Sequence, residues 1–422
     1  MEHLRRWALC LTWIAFAGAG CGGSGAGEGD AGDQGKPAGH HQAQGDSGTG
    51  DDAGTLGDSG ADTDAEADDA GGDSGPVDPG APKPAKPCAE DPDADQHPNS
   101  DVNQVTGTVH PDLGVVPDGG AFTGDPAQNG PYGVLTKDVK VPIKAGTLKA
   151  AGYTITVTAG TLSGTIYVPS EDNGQTAAAG PFPLVLVLPG FEASYTMYAT
   201  YSNHFASHGF AVLGVDTRST LTTASHDKEA FELKQTIDWV SSDASPLKGR
   251  LDLTKIAVAG HSKGGKLAFF IAAIDPRVDF VIGWDPSNTG GPPCSLPIPG
   301  ECNAFPVAPN CQVPSPGIEH LMHAESLVLG MPRDSALNPD RHHNSIHFYR
   351  GAPSPASLVY FDASHIAPMS NQAVIAINKT VQMAMLLARF KGMTGLDAFL
   401  PTSPLGHANL EKLDLVIRVE TK

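Results

Sequence analysis

Residues 255–270 read KIAVAGHSKGGKLAFF. A short apolar run without polar alternation meets Gly260-His261-Ser262-Lys263-Gly264, and apolar residues at helical spacing follow. An unbroken aliphatic run of this length suits a strand covered on both faces, and such strands belong to parallel sheets flanked by helices. The Gly-x-Ser-x-Gly between strand and helix then predicts a turn so tight that the positions two before and two after the serine must lack bulk, which Gly260 and Gly264 satisfy. Few folds accommodate that junction, so it restricts the chain more than any other stretch.

The rest of the chain repeats the same alternation. Buried strands are expected at PFPLVLVLPG (181–190), GFAVLGVD (209–216), FVIGWD (280–285), SLVLGM (326–331) and SLVYFD (357–362). Helices are expected over 196–208, over 227–241 with Phe231, Leu233, Ile237, Trp239 and Val240 apolar, from Lys266 to Ala273, and from Thr380 to Phe390. TKDVKVPI (136–143), YTITVTAG (153–160) and TLSGTIYVP (161–169) alternate or are β-rich and fit an antiparallel edge. The expected fold class is α/β: a mostly parallel central sheet flanked by helices in one catalytic domain, residues 102–422.

A serine at the carboxyl end of such a sheet, with a helix N-terminus behind it, is placed to act as a nucleophile. It needs a base, and the base needs an orienting acid. In this architecture the acid and then the histidine follow the serine. His365, in YFDASHIAPM just past a strand, is the expected base, whereas His320, His323, His342, His343, His347 and His407 fall in an insertion, a His-rich loop or the tail. Two aspartates at carboxyl strand ends compete for the acid, Asp285 in FVIGWD and Asp334 in LVLGMPRD. The oxyanion hole needs two backbone N–H groups. Lys263 follows the nucleophile, and Phe191 follows the turn at Gly190.

Before residue 102 the composition changes. Of 422 residues, 50 are Gly and 35 Pro, with Lys+Arg 27 against Asp+Glu 47 and a net charge of −20. Much of the excess lies in a Gly/Asp/Pro-rich stretch nearly empty of aliphatic and aromatic side chains, so residues 21–101 are expected to be a disordered linker. The acidity excludes a nucleic-acid phosphate backbone as partner. Residues 1–20 carry Arg5 and Arg6 before a short apolar run, as a secretory signal does. Gly18-Ala19-Gly20-Cys21 resembles the bacterial lipobox, which implies a lipid on Cys21 and a membrane partner. The remaining cysteines, Cys88, Cys294, Cys302 and Cys311, are even in number in an exported chain and are disulfide candidates. Their spacing lacks a Cys-x-x-Cys pair, so no metal site is expected.

The region from Gly130 to Phe390 resembles the α/β-hydrolase superfamily, on the branch of bacterial cutinases and polyester hydrolases, chlorophyllases and platelet-activating-factor acetylhydrolases. GPYGV, GTIYVP, PFPLVLVLPGF, FASHGFAVLGVDT and ASHIAP are similar to cutinases; LDLTKIAVAGHSKGGK, IGWDPSN and HFYRGAPSPASLVYFDASH are similar to chlorophyllases. The resemblance implies a monomeric, cofactor-free hydrolase of small or polymeric carboxylic esters. It carries Ser262 and His365 over directly, with Phe191 and Lys263 as oxyanion donors. The cutinase pattern implies Asp334 as the acid and the chlorophyllase pattern Asp285. Lys263-Gly264-Gly265-Lys266 and Pro286 favour Asp285. The Pro/Cys-rich insertion 290–317 departs from cutinases. Two other functions fit the same scaffold: a catalytically degenerate surface lipoprotein that binds an apolar ligand, and an acyltransferase or amidase.

Overall fold

The computed structural model describes residues 119–218, 225–287, 321–331 and 345–422. All of them lie in the unit Ser74–Lys422. The signal, linker, Cys21, Cys88, Cys294, Cys302, Cys311, Asp334 and the 290–317 insertion lie outside the described residues.

Among the described residues, nine strands form one sheet in the order β1-β4-β6-β5-β7-β8-β9-β10-β11. Six of these, β5 (Phe182–Leu188), β6 (Ala211–Val215), β7 (Leu251–His261), β8 (Val278–Trp284), β9 (Glu325–Gly330) and β10 (Ala356–Phe361), are mutually parallel. β5, β6 and β10 are buried at every residue, which is why their sequences show no polar alternation. β1 (Gly133–Ile143) and β4 (Gly160–Ser170) add the expected antiparallel edge, with β4 running against β6. β2 (Gly146–Ala150) and β3 (Tyr153–Val157) form a separate hairpin, so the YTITV run expected at the antiparallel edge instead pairs locally outside the main sheet. β11 (Val416–Thr421) closes the far edge antiparallel to β10. Its half-exposed, charged sequence VIRVET carries little apolar signal, so the sequence reading does not include it.

Helices cover both faces. On one face α2 (His226–Val240) and α3 (Lys263–Ile274) pack Phe231, Leu233, Ile237, Leu267, Phe270 and Ile271 against Leu184, Leu186, Ile256 and Val258. On the other, α1 (Ala199–Ser207), with Tyr198 just before it, and α6 (Gln372–Lys391) pack Tyr198, Tyr201, Phe205, Val381, Met385 and Leu386 against Val185, Val187, Ala257, Phe280 and Trp284. Burial of large side chains on both faces, at about 25 cal/mol per Å² of apolar surface, is the main stabilising contribution. Short helices α4 (Ile346–Gly351), α5 (Ala367–Ser370) and α7 (Pro404–Leu410) complete the described elements.

Two helix starts differ from the sequence reading. α3 begins at Lys263 rather than Lys266, because Gly264 and Gly265 wind into the helix behind the serine instead of ending a turn. α6 begins at Gln372 rather than Thr380. The Asn371 side chain accepts from the N–H groups of Ala373 and Val374, an N-cap that starts the helix two turns earlier.

β5 is flanked by β6 on one side and β7 on the other. The chain therefore reverses its direction of travel across the sheet between β5 and β7. In open parallel sheets ligands bind at the carboxyl ends of strands at such a switch point. The loop after β5 and the turn after β7 both emerge there.

Candidate active site

Ser262 sits between the last residue of β7 and the first of α3, with φ 54° and ψ −119°. A non-glycine residue there is strained and is held by its surroundings. Its N–H donates to the carbonyl of Trp284 (3.0 Å), and its own carbonyl accepts from Lys266 (3.1 Å) and Ser287 (3.2 Å). The two glycines are needed for contact, not flexibility. A Cβ on Gly260 would collide with the carbonyl oxygen of Gly264, and one on Gly264 would lie 2.5 Å from the carbonyl oxygens of Leu188 and Pro189. The elbow is thus wedged against the end of β5.

β8 lies beside β7 in parallel, and Asp285 directly follows it. Its φ of 43° turns the chain at the strand end. The Asp285 N–H donates to Leu329 (2.7 Å), one carboxylate oxygen accepts from the Met331 N–H (2.8 Å), and the other lies 2.5 Å from Nδ1 of His365. Asp285 is 1 % and His365 5 % exposed, so this pair works in a medium where charge–dipole interactions are strong. Because a carboxylate only accepts, Nδ1 carries the proton and Nε2 of His365 is the basic nitrogen. Of the two aspartates, Asp285 is the one on His365 among the described residues, and Asp334 lies outside them. The other described histidines are placed elsewhere: His323 is exposed before β9, and His407 on α7 pairs with Glu411 at 3.3 Å.

His365 is fixed beside the elbow through its backbone. Nε2 of His261 lies 2.7 Å from the His365 carbonyl oxygen, and the two rings are 4.6 Å apart. A carbonyl can only accept, so His261 carries its proton on Nε2 and its Nδ1 accepts from the Tyr198 hydroxyl at 2.8 Å. Complete burial pushes His261 well below the usual histidine range, which keeps it neutral. His261 was visible only as the x of Gly-x-Ser-x-Gly, and nothing in the sequence marks its partner.

On the other side of Ser262, Lys263 extends away from the cleft. Its ammonium reaches Glu229 of α2 at 3.0 Å and the Thr217 hydroxyl at 3.0 Å, with both ion-pair partners nearly fully buried. Burial pushes the Glu229 carboxyl up, against the pull of Lys263. The same ammonium stands 5.7 Å from the ring of Phe191, which is half-buried in the turn after β5. Phe191 and Lys263 are therefore brought together across the switch point. Glu229 was not anticipated; an acidic residue in the first turn of a helix ordinarily reads as a complement to the helix dipole. Among the described residues, no cluster of His, Cys, Asp and Glu is arranged to hold a metal ion.

A family model described as PET hydrolase-like matches residues 123–349, more than half of the chain. Similar curated proteins include cutinase est2 of Thermobifida alba, 28% identical over 52% of this chain and 60% of the relative. Cutinase est1 of the same organism is 26% identical over 61% of this chain and 69% of the relative. A bis(hydroxyethyl) terephthalate hydrolase of Streptomyces coelicolor is 27% identical over 50% of this chain and 58% of the relative. The chain thus spans between about half and two thirds of the length of these relatives. A mostly parallel sheet with a strained serine elbow at its switch point is the expected α/β-hydrolase architecture, and with a family match that runs from β1 through β9 it follows that the chain belongs to the PET hydrolase-like family.

Proposed function

We propose that the protein is an exported serine hydrolase that cleaves carboxylic esters through Ser262, His365 and Asp285. Ser262 Oγ attacks the ester carbonyl while Nε2 of His365 takes its proton. Asp285 holds Nδ1–H and stabilises the imidazolium that forms. The N–H groups of Phe191 and Lys263 receive the oxyanion, His365 returns the proton to the departing alcohol, and water then releases the acyl group by the same route. The observation that carries this reading is the buried 2.5 Å contact between His365 Nδ1 and Asp285, next to a serine held at φ 54°. The named activities of the relatives, on cutin and on bis(hydroxyethyl) terephthalate, support small or polymeric esters as the substrate class. A degenerate binding cleft is disfavoured by a chain that retains a nucleophile, a base and its carboxylate.

The test is hydrolysis of p-nitrophenyl esters, from short to long acyl chains, by the full chain and by Ser262→Ala. Loss of several orders of magnitude is expected on removing the nucleophile, and a phosphonate probe should label Ser262 alone. Retained turnover in folded Ser262→Ala would refute the mechanism. For location, Cys21 is proposed to carry lipid after export. Cys21→Ser should release the protein from membranes, and a soluble wild-type product with its N-terminus elsewhere would exclude the anchor.

A further inference from the structure

Tyr198, in the 3-10 turn that leads into α1, and Tyr201, in the first turn of α1, are three residues apart, and both are buried. Their rings stack on the indole of Trp284: Tyr198 lies at 5.8 Å between centroids with an interplanar angle of 5°, Tyr201 at 4.5 Å and 20°. Trp284 immediately precedes Asp285, and its Nε1–H donates to Gln382 of α6 at 2.9 Å. Each hydroxyl then reaches a different part of the site. Tyr198 accepts from the Gly190 N–H at 3.3 Å, in the turn that leads to Phe191, and donates to His261, which in turn donates to the His365 carbonyl. Tyr201 donates to the Pro368 carbonyl at 2.7 Å, three residues past His365, and accepts from Asn378 at 3.2 Å.

We propose that Tyr198 and Tyr201 are positioning residues that act as one clamp, holding the oxyanion turn, the serine elbow, the Asp285 strand end and the His365 loop in reacting register. The inference rests on the ester-hydrolase reading and adds residues to it. Four loops that arrive from distant parts of the chain converge here. The stack fixes the carboxylate side through Trp284. The two hydroxyls fix the histidine side from both ends, at His365 itself and at Pro368. Small displacements of a base relative to its nucleophile cost rate steeply, so the clamp belongs to turnover and not to substrate binding. Both hydroxyls are inaccessible to substrate, and neither supplies a proton to the reacting atoms.

The test replaces each with phenylalanine in the full chain, which keeps the ring stack and removes only the hydroxyl. Tyr195→Phe is the control, since that hydroxyl bonds Thr165 in β4 and no loop of the site. Tyr198→Phe and Tyr201→Phe should each lower kcat about tenfold on a short p-nitrophenyl ester with KM within about twofold, whereas Tyr195→Phe should leave kcat unchanged. A second readout needs no substrate. The proton between His365 Nδ1 and Asp285 should resonate far downfield in the proton NMR spectrum, and it should move in both clamp variants and stay in the control. A kcat loss no larger than the control's, or an unmoved resonance, overturns the clamp. If the wild type hydrolyses no ester at all, the hydrolase reading fails and the resonance alone decides the clamp.

Discussion

The two neighbours of Ser262 are both buried, yet they are held in opposite ways. Lys263 is held by charge: its ammonium is paired with Glu229 across α2 and α3 and bonded to Thr217. His261 is held without charge, by a relay from Tyr198 to the His365 carbonyl. A buried ion pair is costly to form and costlier to break, because one partner removed leaves the other charge without compensation. A neutral relay costs less to break but orients more, since its donors and acceptors fix a ring tautomer. One side of the nucleophile should therefore control folding stability and the other turnover.

The largest break removes what both sides serve. Asp285→Asn keeps the shape but not the charge, and an amide can present a donor to His365, favouring the wrong tautomer. Turnover should fall by about 10⁴ with circular dichroism unchanged. A loss below tenfold would mean another group, Asp334 foremost, supplies the carboxylate.

Next comes the charged side. Glu229→Ala removes the carboxylate paired with the buried Lys263 ammonium, and should destabilise the fold by about 3–5 kcal/mol, read from urea denaturation. In the fraction that remains folded, turnover per active site, counted by phosphonate titration, should change less than in Tyr198→Phe. A variant as stable as wild type would show that the pair contributes nothing net.

The neutral side answers to pH. Burial holds His261, like His204, His208 and His226, below its ordinary value, His208 down to about 4. The unfolded chain binds protons near pH 6.5 that the native state refuses, so stability is full above that pH and is lost as pH falls below it. For His261 the share is on the order of 1 kcal/mol by pH 5.5. His261→Gln cannot take the proton and should flatten the pH dependence by that amount between pH 7.5 and 5.5. An unchanged slope would mean His261 already protonates in the folded state. Glu229 has the opposite sign: its raised carboxyl disfavours the fold as pH climbs above the ordinary Glu value, so the two neighbours oppose each other in acid.

What could be read from the sequence follows the same division. Ser262, His365 and the parallel strands announce themselves through local pattern: a strand, a glycine-bounded turn, a histidine past a strand end. Strand ends alone left Asp285 and Asp334 level, because both end apolar strands; the Lys263–Lys266 run and Pro286 favoured Asp285 through the likeness to chlorophyllases. The likeness to cutinases implied Asp334 and the likeness to chlorophyllases Asp285; among the described residues the carboxylate on His365 is Asp285. Tyr198, Tyr201 and Glu229 were read as helix residues only. Tyr198 meets His261 across 63 positions and Tyr201 meets Pro368 across 167, and no local periodicity encodes a hydroxyl that lands on a carbonyl that far away. The early start of α6 was missed because Asn371 acts through its side chain, not its hydrophobicity.

The smallest expected effect is the sharpest test of the contrast. If the charged side exists for orientation, replacing both partners with apolar residues of similar volume should damage turnover even when the fold is intact. If it exists because a lysine at this turn needs a counter-charge, the replacement should be nearly silent. Lys263→Met with Glu229→Leu removes both charges of the pair together, so neither partner is left buried without the other. The Lys263 N–H, which the oxyanion would use, is backbone and survives the change. The contact of the ammonium with the Phe191 ring is lost, but a methionine side chain can cover the same ring face. Stability of the double variant should therefore lie within about 1 kcal/mol of wild type, several kcal/mol above Glu229→Ala, and kcat within about threefold. A stable double variant with kcat down by a hundredfold would place the charge in the oxyanion step and make the two sides of Ser262 alike.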